Sequence, residues 1–338
     1  MPSHPALPRR RRARAAAAVL VVVLPVALLA GCSDDGPQVN AHLHPPDGPW
    51  SWTDDLGQQV HLDQAPTRIA AYGDEAAALW HFGVVPTAVF DYTDPQSDPN
   101  FFGLPLKRTE VVGTTYGDID LDRLEELKPD LIVTSSEPGD TADEMFGFAT
   151  AGELAEARKI APVIAVAQAG SARLVVETNA RLAAALGVDI GAGSAVAADR
   201  KQFELASQEL TQAASSGLTV MPAYADYGGL YVLDSRDDPT MSYVEDLGVE
   251  FEKEGGDDDY WEILDWEHSD RYHPDIVLMS QKGGFTGEQL RNQETFGKVA
   301  AVARQQVHPW RFPSMDYLSL TAYLKELSQW LVTDQDVG

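Results

Sequence analysis

The chain has 338 residues, with 25 Lys and Arg against 52 Asp and Glu, for a formal net charge of −27. Phosphate binding needs clustered Lys and Arg, so this balance speaks against nucleic acid as a partner. A single cysteine leaves no disulfide within the chain, and the length exceeds one ordinary domain, so two lobes are expected.

Residues 1–31 read as a targeting segment. "RRRRAR" supplies a positive start, "AAAAVLVVVLPVALLA" an apolar stretch, and "LAGC" a small-residue cleavage site ending in Cys32. The apolar run is short and contains Pro25, which makes a permanent membrane span the weaker reading. Cys32 follows Leu29-Ala30-Gly31, and this segment resembles a bacterial lipobox. The resemblance implies cleavage before Cys32, acylation of its thiol and anchoring on the outer face of a membrane. An ordinary secretory signal with a stray cysteine is the alternative. Removing the five arginines of this segment lowers Lys and Arg from 25 to 20 and takes the net charge from −27 to −32. Solubility accounts for most of that charge, and the field also suits a neutral or cationic ligand. Residues 32–49 form a polar, Pro/Gly-rich tether. His42 and His44 on it lack the acid or Cys partners of a metal site.

From Trp50 onward, strand-length apolar runs alternate with helical patterns. "RIAAY" leads into "DEAAALWHFG"; "PTAVFDY" follows; "DLDRLEELK" precedes "DLIVTS", and "ADEMFGFATAGELAEARKI" precedes "PVIAVA". This alternation predicts parallel strands with crossover helices, an α/β lobe over 50–191. Residues 192–216 are Ala-rich and free of Pro, and predict a connecting helix of about 24 residues, roughly 36 Å long, with one wet side. The cycle restarts in a second lobe over 217–338. There "LTVMPAY", "GGLYVLD", "DIVLMS" and "QQVHPW" are expected strands, "TMSYVEDLGVEFE" and "GEQLRNQETFGKVAAV" expected helices, and "YLSLTAYLKELSQWL" a closing helix. The fold class is therefore α/β, two Rossmann-like lobes with mostly parallel sheets joined by one long helix.

One stretch occurs twice, 145 residues apart: "LDRLEELKPDLIVTS" from Leu121 and "WEHSDRYHPDIVLMS" from Trp266. In each copy a short helix is expected to end before a proline and run into a buried strand. Asp120 and Asp265 suit the N-cap, and Asp122 and Glu267 the first turn, where the helix dipole favours an acid. Capping accounts for the first acid of each pair. The second leaves one negative prong on each lobe.

This set resembles the substrate-binding lipoproteins of ABC importers that take up ferric siderophores, cobalamin and haem. It consists of the doubled acid and Pro-Asp strand, two α/β lobes on a long helix, and the lipobox. "APTRIAAYGDEAAALWHFG", "GGLYVLDS" and "FGKVAAVARQQVHPW" agree with the family's first strand and helix, second-lobe hairpin and terminal segment. The resemblance covers about 50 to 330 and implies a monomeric, non-enzymatic protein, with no resident cofactor. It implies that Asp122 and Glu267 dock to the permease of an importer driven by its ATPase, with Asp122 one CH₂ shorter than the Glu usual there. It also places aromatic ligand contacts at Tyr116 and Trp261. Strand-end positions add Tyr72, Tyr92, Tyr224, Tyr227, Phe312 and Tyr317 as candidate walls of an interlobe cleft, with Arg236 and Arg311 as candidate donors. Few basic cleft residues favour a ferric hydroxamate, such as a ferrioxamine, over an anionic catecholate chelate. Haem and cobalamin remain alternatives. Direct metal binding fits poorly, because His61, His81, His268, His273 and His308 are scattered. A G-x-S-x-G elbow, H-E-x-x-H and P-loop are missing, and a catalytic Cys is excluded if Cys32 is acylated, which leaves an extracellular enzyme, or a tethered sensor, as the weaker rival. The expected location is the outer face of a bacterial, Gram-positive cell membrane.

Overall fold

The computed structural model describes residues 40, 42–104, 106–252 and 260–337. Cys32 and the targeting segment lie outside the described residues. Part of the expected tether rests on the first lobe. The Asn40 side chain donates to the carbonyls of Thr67 and Val85 and accepts from the Val85 N–H, and the His44 N–H donates to Gly187.

A small antiparallel ribbon, β1 (Trp50–Thr53) with β2 (Gln59–Leu62), opens the globule. The first lobe then runs β3 (Ile69–Tyr72), α1 (Gly73–His81), β4 (Ala88–Phe90), β5 (Glu110–Gly113), α2 (Leu121–Leu127), β6 (Leu131–Ser136), α3 (Ala151–Ile160), β7 (Val163–Ala167) and α4 (Ala172–Ala185). Its five strands are all parallel in the order β5-β4-β3-β6-β7. Alternate residues of β3 serve two cores: Ile69 and Ala71 face one cluster, Ala70 and Tyr72 the other. Burial on both faces is why these strands read as unbroken aliphatic runs.

The second lobe follows α5 (Ala195–Ala213) with β8 (Thr219–Asp226), β9 (Gly229–Leu233), α6 (Pro239–Asp246), β10 (Glu250–Phe251), β11 (Trp261–Leu264), β12 (Ile276–Ser280), α7 (Gly287–Arg291), α8 (Ala300–Ala303), β13 (Val307–Trp310) and α9 (Tyr317–Thr333). Its sheet is mixed, in the order β11-β9-β8-β12-β13, with β10 beside the start of β8. The β8–β9 and β9–β11 pairs are antiparallel and the β8–β12 and β12–β13 pairs parallel.

The connecting helix is shorter than expected. Ser194 caps it by accepting from the Ala197 N–H, and a tight turn over Ala214–Ser216 ends at Gly217, which takes the left-handed φ of 73°. The 19 residues of α5 span about 28 Å. It is no isolated strut. Phe203, Ala206 and Leu210 pack with Leu320, Leu324 and Leu327 of α9 in one apolar cluster that also takes in Ile69 of the first sheet and Ile276 of the second.

The two copies of the repeated stretch fold differently at their starts. "LDRLEEL" consists of good helix formers and makes α2, capped by Asp120 and ended by Lys128 in a left-handed conformation at φ 50°. The second copy, expected as a helix up to His273, makes successive i→i+3 turns instead: His268 N–H to the Asp265 carbonyl and Arg271 N–H to the His268 carbonyl. Local side chains compete for the backbone there. Ser269 Oγ donates to the Trp266 carbonyl, and Asp265 Oδ1 accepts from the His268 N–H.

The shared part is the Pro-Asp step. Asp130 accepts from the N–H groups of Thr67 and Arg68 and from Thr67 Oγ1, tying the start of β6 to that of β3. Asp275 accepts from the N–H and Oγ1 of Thr219, tying β12 to β8 in the same way. Burial would raise the Asp130 pKa, but these donors and the Arg68 guanidinium outweigh it and hold the carboxyl below its usual range. Such an acid stabilises the fold above its unfolded pKa, and the contribution is lost as pH falls through the lowered value. Asp130→Asn is expected to cost about 1–2 kcal/mol in urea unfolding at pH 7 and much less near pH 3. An equal cost at both pH values contradicts the clamp.

Candidate functional site

Sheet topology creates two facing crevices. In the first lobe the chain builds outward from β3 to β5 and then returns to β6 on the other side, so the strand order reverses between β3 and β6. Crevices at such switch points, outside the carboxyl ends of the strands, hold ligands. Tyr72, Asp74, Ser135 and Glu137 stand there, and Tyr224, Ser280 and Lys282 occupy the corresponding ends of β8 and β12; all seven line one cavity of about 740 Å³. Ser135 and Ser280, the closing residues of the repeated stretch, thus face the same space from opposite lobes.

The walls are aromatic. On the first lobe the Tyr72 ring lies 6.5 Å from Tyr92 and 5.3 Å from Phe146. On the second, Tyr224, Tyr231, Tyr260 and Trp261 adjoin one another, with Trp261 6.0 Å from Trp310, which stacks on Phe312 at 3.9 Å. Tyr260 and Phe312 take positive φ values of 62° and 47°. Bulky residues persist in that region only when their surroundings fix them. For Phe312 the fixing group is Asn100 of the first lobe, whose Nδ2 donates to the Phe312 carbonyl at 2.9 Å.

Charge in the cavity is uneven. Among the described residues, Asp74, Glu137, Asp226, Asp237 and Asp238 line it against one cation, Lys282. Lys282 Nζ reaches across from the second lobe to Asp74 Oδ1 and Oδ2, at 3.0 and 3.3 Å. It also lies 5.5 and 5.4 Å from the rings of Tyr92 and Phe312. Burial would lower the Lys282 pKa, but Asp74, Tyr92 and Asp98 outweigh it, and the ammonium stays charged. Asp91 sits just behind. Burial and Asp74 push its pKa up to about 7 against the pull of Lys282. A Cβ on Gly73 would stand 2.1 Å from Asp91 Oδ2, so glycine is required where α1 begins. Asp238 caps α6 through the Met241 N–H, and burial lifts its pKa to about 6.

Five expected contacts, Tyr72, Tyr92, Tyr224, Trp261 and Phe312, line the cavity. Trp261 does so as the first residue of the edge strand β11 rather than from a loop. The other five stand elsewhere. Tyr116 covers the outer side of the cavity residue Phe146, at 5.4 Å, and donates to the Phe148 carbonyl. Tyr227 is 89% exposed beside Phe285. Arg236 is paired with Asp234, and Arg311 with Glu326 at 2.8 Å. Tyr317 is core, between Phe82 and Phe203. Asp122 and Glu267 are both exposed, one on each lobe.

Lys282, Asp74 and the acids around them were not among the expected contacts. Asp74 looks like an ordinary first-turn acid of α1, and Lys282 like a loop lysine. The available signal was Gly283-Gly284 directly after Lys282: a Cβ at Gly284 would stand 2.6 Å from the Ala225 carbonyl, which marks a loop pressed against the end of β8. Among the described residues no group of three His, Cys, Asp or Glu side chains is placed to hold a metal ion.

Residues 60–313 match the model of a family described as periplasmic binding protein. No curated protein matches the sequence. Among solved structures, the ferric-siderophore receptor DesE of Streptomyces coelicolor superposes with a TM-score of 0.78 at 26% identity, over 86% of this chain and 100% of DesE. The catecholate-siderophore binding protein VctP of Vibrio cholerae gives 0.60 at 18% identity, over 84% of this chain and 99% of VctP. Streptococcus pneumoniae PiaA, solved with ferrichrome, gives 0.55 at 18%, over 84% and 99%; these two likenesses concern the fold alone. With most of its length matched and its two-lobed topology shared, the chain belongs to the periplasmic binding protein family.

Proposed function

We propose that the protein captures a ferric siderophore of neutral or cationic hydroxamate type in the interlobe cavity and delivers it, as a monomer held by lipidated Cys32 on the outer face of the membrane, to an ABC importer. A chelate that brings its own six oxygen ligands needs aromatic walls and a few hydrogen-bonding groups rather than protein ligands to iron. The observation that carries the hydroxamate reading is charge: among the described residues the one lining cation, Lys282, is already paired with Asp74, and five acids line the same cavity. DesE, 26% identical, is described as a ferric-siderophore receptor, in keeping with this class. No helix among the described residues is long and apolar enough to cross a membrane.

Fluorescence quenching of the mature protein by ferrioxamine, ferrichrome, a ferric catecholate, haem and cobalamin tests the assignment. Quenching by none of them sinks it, and quenching by haem alone redirects it.

Asp122 and Glu267 are the proposed docking acids. Reversing both to Lys is expected to abolish chelate uptake by cells while leaving the dissociation constant within about twofold, because neither lines the cavity. Continued uptake by that variant refutes the docking role.

A further inference from the structure

Glu75 follows the Asp74 that holds Lys282, yet its side chain turns inward and is fully buried. Oε1 accepts from Ser135 Oγ at 2.9 Å and from Gln168 Nε2 at 2.8 Å, and both donors line the cavity. Oε2 has no partner, and neither has Oδ1 of the nearby Asn179 on α4. The Asn179 amide is committed in its present orientation, because Nδ2 donates to the Met315 carbonyl at 3.1 Å. Two buried acceptors therefore stand without a donor, which costs each the loss of its hydration.

A charged Glu75 would make this worse. The charge that bears most on it is Asp74, which is also negative. The other ionisable groups on the surrounding elements act elsewhere: Asp91 after β4 and Asp98 before the turn at Pro99–Phe101 bear on Asp74 and Lys282, and Tyr72 of β3 on Asp91. From β6, the segment after β7, and α4 come the neutral groups Ser135, Gln168 and Asn179.

We infer that Glu75 is a neutral carboxylic acid in the folded protein, its proton on the otherwise unpartnered Oε2, and that in this form it positions Ser135 and Gln168 toward the ligand. The positioning half rests on the cavity being the chelate site; the proton does not. Burial, reinforced by Asp74 and opposed by Ser135, Gln168 and Asn179, lifts the Glu75 pKa from 4.5 to about 8. For a raised acid the folded state binds the extra proton. Stability is then fully present below the unfolded value and falls as pH rises, until the folded group too has ionised. Over that window this group alone lowers the ratio of folded to unfolded protein by about a thousandfold.

Glu75→Gln mimics the neutral form, since its oxygen still accepts from Ser135 and Gln168 and its NH2 group takes the place of the protonated Oε2. Urea unfolding of the ligand-free protein is expected to show E75Q overtaking wild type progressively from pH 5 to pH 8. An E75Q protein weaker than wild type by the same factor at both pH values overturns the neutral acid. Should E75Q fail to fold, the infrared carbonyl band of a protonated carboxyl in wild type decides: it should bleach with a midpoint near pH 8, and absence of such a band overturns the inference. Ferrioxamine titration reads the positioning separately. E75Q should bind within about twofold of wild type, and Glu75→Ala about tenfold more weakly; equal binding by E75A removes the positioning role. Wild type that binds no chelate fails the proposed function and leaves the stability result standing.

Discussion

Titrated into the purified protein, ferrioxamine is expected to quench the tryptophan fluorescence at concentrations at least about a hundredfold below those needed for a ferric triscatecholate. A ferric trihydroxamate core is neutral, whereas three catecholates on ferric iron leave a net triple negative charge. That trianion would enter a cavity lined by Asp74, Glu137, Asp226, Asp237 and Asp238, with Lys282 already bound to Asp74. Two like charges 8 Å apart repel by about 2 kcal/mol at an effective dielectric of about 20, and a hundredfold preference needs only about 2.7 kcal/mol. The reporter is well placed. Trp261 lines the cavity, and Trp310 lies behind it in ring contact with both Trp261 and Phe312. The preference should widen as pH rises from 5.5 to 8, because Asp238 and Asp91 ionise over that range. It should narrow in high salt. Equal or tighter binding of the catecholate removes the hydroxamate assignment.

Much of the fold could be read from the letters, because parallel strands buried on both faces leave unbroken aliphatic runs such as "DLIVTS" and "DIVLMS". The second-copy helix could not. Whether "WEHSDRY" winds into a helix depends on which backbone groups Ser269 and Asp265 capture, a contest that periodicity does not register. Aromatics directly at strand ends, Tyr72, Tyr224 and Phe312, were legible as cavity walls because topology alone fixes that position. Tyr317, a few residues beyond β13, already belongs to α9 and the core. The repeated stretch suggested two acids of interest per copy. Its structurally equivalent pair is Asp130 and Asp275, which clamp adjacent strands, and its cavity-facing pair is Ser135 and Ser280. The Lys282–Asp74 pair was out of reach because it joins residues 208 apart on different lobes, and neither residue carries a local mark of its partner.

That pair supports the second large effect. Lys282 is 15% exposed and Asp74 31%, so the bridge is neither a surface pair nor a fully buried one. Removing the ammonium in Lys282→Met leaves Asp74, Asp91 and Asp98 without the cation that each of them feels, while the methionine still fills the space between Tyr92 and Phe312. The expected loss at pH 8 is about 2–3 kcal/mol, between the values for exposed and buried pairs. At pH 5 the loss should shrink, since Asp91, with its pKa near 7, is already protonated and repels nothing. Asp74→Asn alone should cost less, because Lys282 keeps Asp98 and the Tyr92 ring. Combining D74N with K282M should recover at least about 1 kcal/mol relative to the sum of the single changes, the mark of direct coupling. Additive losses, or a K282M cost that does not vary with pH, would mean that Lys282 is not coupled to these acids. In that case the acids of the cavity are held apart by solvent rather than by this cation, and their full charge bears on the ligand.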